Sequence, residues 1–186
     1  GNSAGSYYQS SYSIAIGYQT AYGNQSSGCV ALGYQCGYTG QQTIATSIGY
    51  QCGYLTQGTG SVSIGYMSGY QTQSSGAVSI GYQCGFSSQG MNSVSIGNQC
   101  GMYNQSTSTV AIGYQSGYTG QKPLAISIGY LSGNSNQASG AIAIGSNSGY
   151  SSQGNASVAI GNSAGSYLQG DNSVAIGVQA GQNTQG

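Results

Sequence analysis

Charged side chains are almost missing from this sequence. Of its 186 residues one is Lys (Lys122) and one is Asp (Asp171), while Arg, Glu, His and Trp do not occur. Without His and with a single carboxylate, the chain cannot build a Ser-His-Asp or Cys-His arrangement, a pair of catalytic carboxylates, or an ordinary zinc or calcium site. Neither enzymatic activity, nor a cofactor, nor a metal is therefore expected. The lack of basic residues removes the electrostatic footprint needed for nucleic acid. Long hydrophobic runs are also missing, and a membrane-spanning helix needs about 20 consecutive apolar residues. Soluble domains carry roughly 25% charged residues. A neutral chain with 1% charge favours association over life as a free monomer.

What the chain has instead is a period. An Ile-Gly step (once Leu32-Gly33) returns every 16 residues, from Ile16-Gly17 to Ile176-Gly177, without insertion or omission. A composition rich in Gly, Ser, Gln, Tyr and Asn is compatible with disorder, but a disordered linker has no reason to keep phase. An exact short repeat means one supersecondary unit stacked on itself. The sequence thus predicts an all-β fold, a parallel β-solenoid of eleven to twelve 16-residue coils forming a single repeat domain over 1–186. Its first and last repeats lack the divergent sequences of solenoid caps, so the expectation is a segment of a longer protein or of an end-to-end stacked assembly.

Each coil, numbered from its glycine at position 1, reads approximately G-Y-Q-(C/S)-G-Y-x-x-Q-(G/S)-(S/T)-x-(S/A)-V-(A/S)-I. Positions 14 and 16 are β-branched or leucine with only Ala or Ser between them. This period-2 alternation predicts a strand with one buried face. The expected core is Val62, Ile64, Val78, Ile80, Val94, Ile96, Val110 and Ile112, with Ser61 and Ser63 pointing outward. The glycines at positions 1 and 5, as in Gly49 and Gly53, predict two corners. Positions 7 to 12 vary most and predict an exposed turn. Within that turn position 9 is always Gln, so Gln57, Gln73, Gln89 and Gln105 are expected to form an amide ladder along the axis.

Two aromatic rows follow from the same columns. Tyr18, Tyr34, Tyr50, Tyr66 and Tyr82 share position 2, while Tyr38, Tyr54 and Tyr70 share position 6. They read as stacked ladders, or as surfaces for adhesion, sugar stacking or lateral contact between rods. Four of the five cysteines share position 4, in the neighbouring pairs Cys36/Cys52 and Cys84/Cys100. A coil spacing near 4.8 Å lies within the roughly 4.4 to 6.8 Å Cα range of disulfides, whereas parallel Cβ vectors favour small buried thiols. Both states stay open at this level. Asn24, Asn104 and Asn155 head Asn-x-Ser sequons on the variable segment.

The element Ser-Val-Ala-Ile-Gly at Ser157 to Gly161 and Ser173 to Gly177, with variants such as Ser61-Val62-Ser63-Ile64-Gly65, resembles the head repeats of trimeric autotransporter adhesins. The 16-residue unit with its I-G-Y-Q-x-G step is also similar to repeats in fibre-like proteins of large viruses and phages. The adhesin repeat usually spans 14 residues rather than 16, and the likeness covers about five positions per coil. The resemblance implies a parallel β-roll whose copies join into a fibre or trimer. The expected function is accordingly a structural or adhesive fibre outside the cell, on a cell or virion surface. Its partners would be copies of itself and a host-surface glycan or receptor. The alternatives are an ice-binding solenoid, for which the threonines scatter across too many columns, and carbohydrate binding along the tyrosine rows.

Overall fold

A computed structural model describes residues 1–184 of the chain. It is an all-β solenoid with two parallel sheets running along one axis. The larger sheet has eleven strands in sequence order, from Ile14–Tyr18, Val30–Tyr34 and Thr46–Tyr50 to Val158–Ile160 and Val174–Ile176. Every pairing joins residues 16 apart, such as Val62 to Val78 and Ile64 to Ile80. The opposite sheet consists of shorter strands that end on the position-9 glutamines, including Thr56–Gln57, Thr72–Gln73, Ser87–Gln89 and Tyr103–Gln105. Single bridges through Gln41 and Thr119 link its three segments into one ribbon. The exact 16-residue period is thus the register of both sheets.

The strand sits where the alternation places it, but its faces are reversed. Val62, Ile64, Val78, Ile80, Val94, Ile96, Val110 and Ile112 stand half-buried on the outside of the coil. Ser61 and Ser63, expected outside, are fully buried. The interior is made of small side chains at positions 4, 13 and 15, among them Cys84, Cys100, Ala77, Ser79 and Ala111, together with the position-9 glutamines.

The reason is the narrowness of the coil. Ser63 Oγ donates to Gln73 Oε1 at 2.7 Å, so a single hydrogen bond spans the space between the two sheets. Ser95 and Gln105 repeat this contact at 2.7 Å. Branched aliphatic side chains would overfill that space, and overpacking a fixed backbone is destabilising. The aliphatic rows instead cover one another along the outer face, each coil shielding the next.

Glycine is required at the two columns where it never or almost never varies. A Cβ on Gly49, whose φ is +132°, would collide with the carbonyl oxygen of Gly65 in the next coil. One on Gly53, at φ +52°, would meet Gln57 Oε1 at 2.9 Å and Ser47 Oγ at 2.6 Å. The first glycine lies within the strand Thr46–Tyr50 rather than at a corner. The bend falls one step later, where Gln51 and Gly53 both take left-handed backbone at φ 50° and 52°.

Candidate interaction surfaces

The position-9 glutamines do not lie on an exposed turn. They are inward-facing strand residues, and Gln57, Gln73 and Gln89 are at most 1% exposed. A buried amide has to satisfy its donors and acceptor inside the protein, and each of these does so along and across the axis. Gln73 Nε2 donates to Gln89 Oε1 at 3.1 Å, to Val62 O at 2.8 Å and to Ala77 O at 3.1 Å. Gln105 likewise donates to Gln121 at 3.1 Å, and the row continues through Gln137 to Gln153. A second amide row at position 3 runs the other way, with Gln115 donating to Gln99 at 2.8 Å and Gln51 to Gln35 at 2.9 Å. Being enclosed, the position-9 row is a structural ladder and offers no ligand surface.

All five cysteines are free and buried. In the two pairs each thiol donates to the carbonyl of the next coil's position-1 glycine, as Cys36 does to Gly49 at 2.9 Å and Cys84 to Gly97 at 2.8 Å. Cys36, Cys52, Cys84 and Cys100 therefore occupy the column as small hydrogen-bonded side chains, which matches the Ser found there in other coils. The hydrogen bond with Cys36 pushes the Cys52 thiol well above the usual range, and burial adds to this; Cys100 and burial do the same to Cys84. Burial also raises Cys29. Cys36 and Cys100, the other members of the pairs, are lowered by the hydrogen bond to Cys52 and Cys84.

The outer face of the large sheet carries three parallel rows at positions 14, 16 and 2. These are Val or Ile with Thr46 as the polar exception, Ile with Leu32, and Tyr over most of the length. Tyr18, Tyr34, Tyr50, Tyr66 and Tyr82 stack with ring centroids 4.9 to 5.1 Å apart and planes within 9°. They are 38–45% exposed. Around the corner Tyr38, Tyr54 and Tyr70 continue into Phe86 at 4.8 to 5.0 Å. Lys122 and Asp171 lie at positions 10 and 11, on the far edge of the coil, where Asp171 accepts from the Asn155 backbone N–H at 2.7 Å and is held below the usual carboxylate range by it. Asn24, Asn104 and Asn155 are all exposed.

At about 4.8 Å per strand and 3.3 Å per residue, this apolar face measures roughly 50 by 15 Å. Unpartnered apolar patches of that size are uncommon on soluble monomers, where the largest is about 300–600 Å². Sequence reasoning named these residues but assigned the Val and Ile rows to the inside; the tyrosines lie outward. The available signal was size, since only small residues or Gln recur at positions 4, 9, 13 and 15. No helix among the described residues is long and apolar enough to cross a membrane. Comparison with protein-family models, curated proteins and solved structures finds no match to this chain.

Proposed function

We propose that this chain is a structural rod that associates side by side with copies of itself through the Val/Ile/Tyr face, building a fibre on a cell or virion surface. The observation that carries the reading is the outward placement of the aliphatic rows that the sequence suggests as core. A face of about 700 Å² on each of two copies gives roughly 1,400 Å² buried, within the range of stable protein interfaces. The face is uncharged, flat and periodic. Two such faces interdigitate at a common axial repeat, as paired sheets do in a dry zipper. Support for a fibre outside the cell comes from the likeness to adhesin and viral fibre repeats.

Sedimentation of the whole chain at micromolar concentration tests the association. Oligomers are expected, and the double substitution Ile80→Lys and Ile96→Lys is expected to yield monomers with an unchanged β-sheet circular dichroism spectrum. A parent chain that sediments as a monomer at tens of micromolar overturns the reading. Immunogold labelling of native material should decorate surface fibres. Ice binding is the weaker reading, because Thr46 is the one threonine in the three rows of the flat face; thermal hysteresis at micromolar protein would restore it.

A further inference from the structure

In an unbroken aromatic ladder every ring covers the faces of its neighbours. At centroid spacings near 5 Å nothing can be inserted between two rings, so the rows present only edges and hydroxyls. Ring faces become free where a ladder breaks. The position-2 ladder is interrupted at Asn98 and the position-6 ladder at Met102 and Asn134, and both stop close together toward the C-terminal end. The position-2 row ends at Tyr130 and is followed by Ser146, while in the position-6 row Tyr150 is followed by Ser166. Tyr167, from position 7, crosses this break edge-on to Tyr150, with centroids 6.2 Å apart and planes at 70°. At position 3 the glutamines of earlier coils give way to Leu131, Asn147 and Ser163.

The combined loss of bulk opens a hollow of about 290 Å³ at the corner of the coil, floored by Leu131 and walled by the two tyrosines, Asn147, Ser163, Ser166 and Gln182. Its polar groups are neutral. Ser166 Oγ donates to Asn147 O at 2.8 Å, which leaves its own oxygen free to accept. The Asn147 amide spends one hydrogen on Ser146 Oγ at 3.3 Å. Its side-chain oxygen Oδ1 remains open, as does the Gln182 side-chain amide, among the described residues.

We propose that this hollow binds a terminal neutral pyranose of a glycan. Two rings set at a steep angle offer one apolar face for the C–H side of a sugar and one wall beside it. Amides and hydroxyls with spare donors and acceptors suit the sugar's hydroxyl groups, and their neutrality disfavours acidic sugars. The volume sits at the small end of ligand pockets and fits one sugar ring with part of a second. The site lies around the corner from the Val/Ile face and does not rest on self-association.

The test uses the whole chain on an array of neutral hexose- and N-acetylhexosamine-terminated glycans, followed by calorimetric titration of the strongest binder. The substitutions Ser163→Gln and Ser166→Tyr restore the residues that other coils carry in these columns, so the fold accommodates them while the hollow is filled. They are expected to weaken binding at least tenfold without lowering the unfolding temperature. Tyr167→Ala should do the same, Tyr167→Phe should keep affinity within about threefold, and Tyr50→Ala, in the unbroken ladder, should change nothing. The Ile80→Lys and Ile96→Lys chain should bind as the parent does, which separates this site from the assembly face. Absence of any neutral-glycan binding, binding only of acidic glycans, or binding undiminished by the filled hollow overturns the proposal.

Discussion

At the scale of single residues the interior is a hydrogen-bonded accounting problem rather than an oily one. Gln89 illustrates it: its oxygen accepts from Ser79 Oγ at 2.5 Å and from Gln73 Nε2 at 3.1 Å, and its own nitrogen donates to Val78 O at 2.8 Å. Gln89→Leu preserves volume but leaves the buried Ser79 hydroxyl without its acceptor, at about 1–3 kcal/mol, and removes the amide contact with Gln73. A loss of about 2 kcal/mol in denaturant unfolding is expected. Gln99→Ala in the half-buried position-3 row removes two amide contacts, one to Gln83 at 3.3 Å and one from Gln115 at 2.8 Å; water can replace both there, so the cost should stay near about 1 kcal/mol. The same logic locates a defect that can be repaired. Gln169 Oε1 is buried without a partner, and ten residues before it stands Ala159 where the equivalent position before Gln73 and Gln89 is Ser63 and Ser79. Ala159→Ser supplies the missing donor and is expected to raise stability by about 1 kcal/mol, measured by the same unfolding curves.

At the scale of one coil the cysteine columns set a pH dependence. Within each pair the shifts oppose, Cys52 and Cys84 being raised and Cys36 and Cys100 lowered by the hydrogen bond they share, so the sign is set by the unpaired Cys29, whose pKa burial raises above that of an unfolded thiol. A raised value means that the unfolded chain loses this proton first. The stabilisation is therefore complete below about pH 8.5, the ordinary thiol pKa, and falls as pH rises beyond it. Unfolding free energy measured at pH 7.5, 8.5 and 9.5 should decline over the last step, and a Cys29→Ser variant should show a flatter profile. An identical decline in both chains would mean that Cys29 does not carry it. The coil also shows what was legible in the sequence. Strand position, parallel register and the membership of every row follow from the Ile-Gly period alone. Which face turns inward does not, because alternation separates two faces without saying which is enclosed. Val62 and Ile64 are the larger apolar residues and were expected inside, yet the gap bridged by Ser63 and Gln73 admits only a hydroxyl and an amide. The hollow beside Tyr150 was legible only as a fading of the tyrosine rows; that Tyr167 turns into the break depends on side-chain packing that no column records.

At the scale of the molecule, contacts run only between a coil and its two neighbours, and stability is then close to a sum of coil and interface contributions. The consequence concerns phase more than length. Deleting Gly65 through Ile80 joins Ile64 to Gly81 and removes one whole coil. Every column stays continuous: Ser63 is followed by Ser95, Gln57 by Gln89, and Cys36, Cys52, Cys84 and Cys100 become four successive thiols. Such a chain should unfold in one cooperative transition at a temperature a few degrees below the parent. Deleting only Gly65 through Thr72 removes half a coil. The remaining half cannot span both sheets, and Gln73 loses Val62 and Ser63, its partners across the interior. The coils on either side keep their own phase but can no longer pass strand pairing or amide contacts across the junction. Two separate transitions are expected by calorimetry from this shorter deletion, even though it removes fewer residues. A single transition in the half-coil deletion would show that the stack tolerates a break in its 16-residue register, and would refute the view that the period itself holds the molecule together.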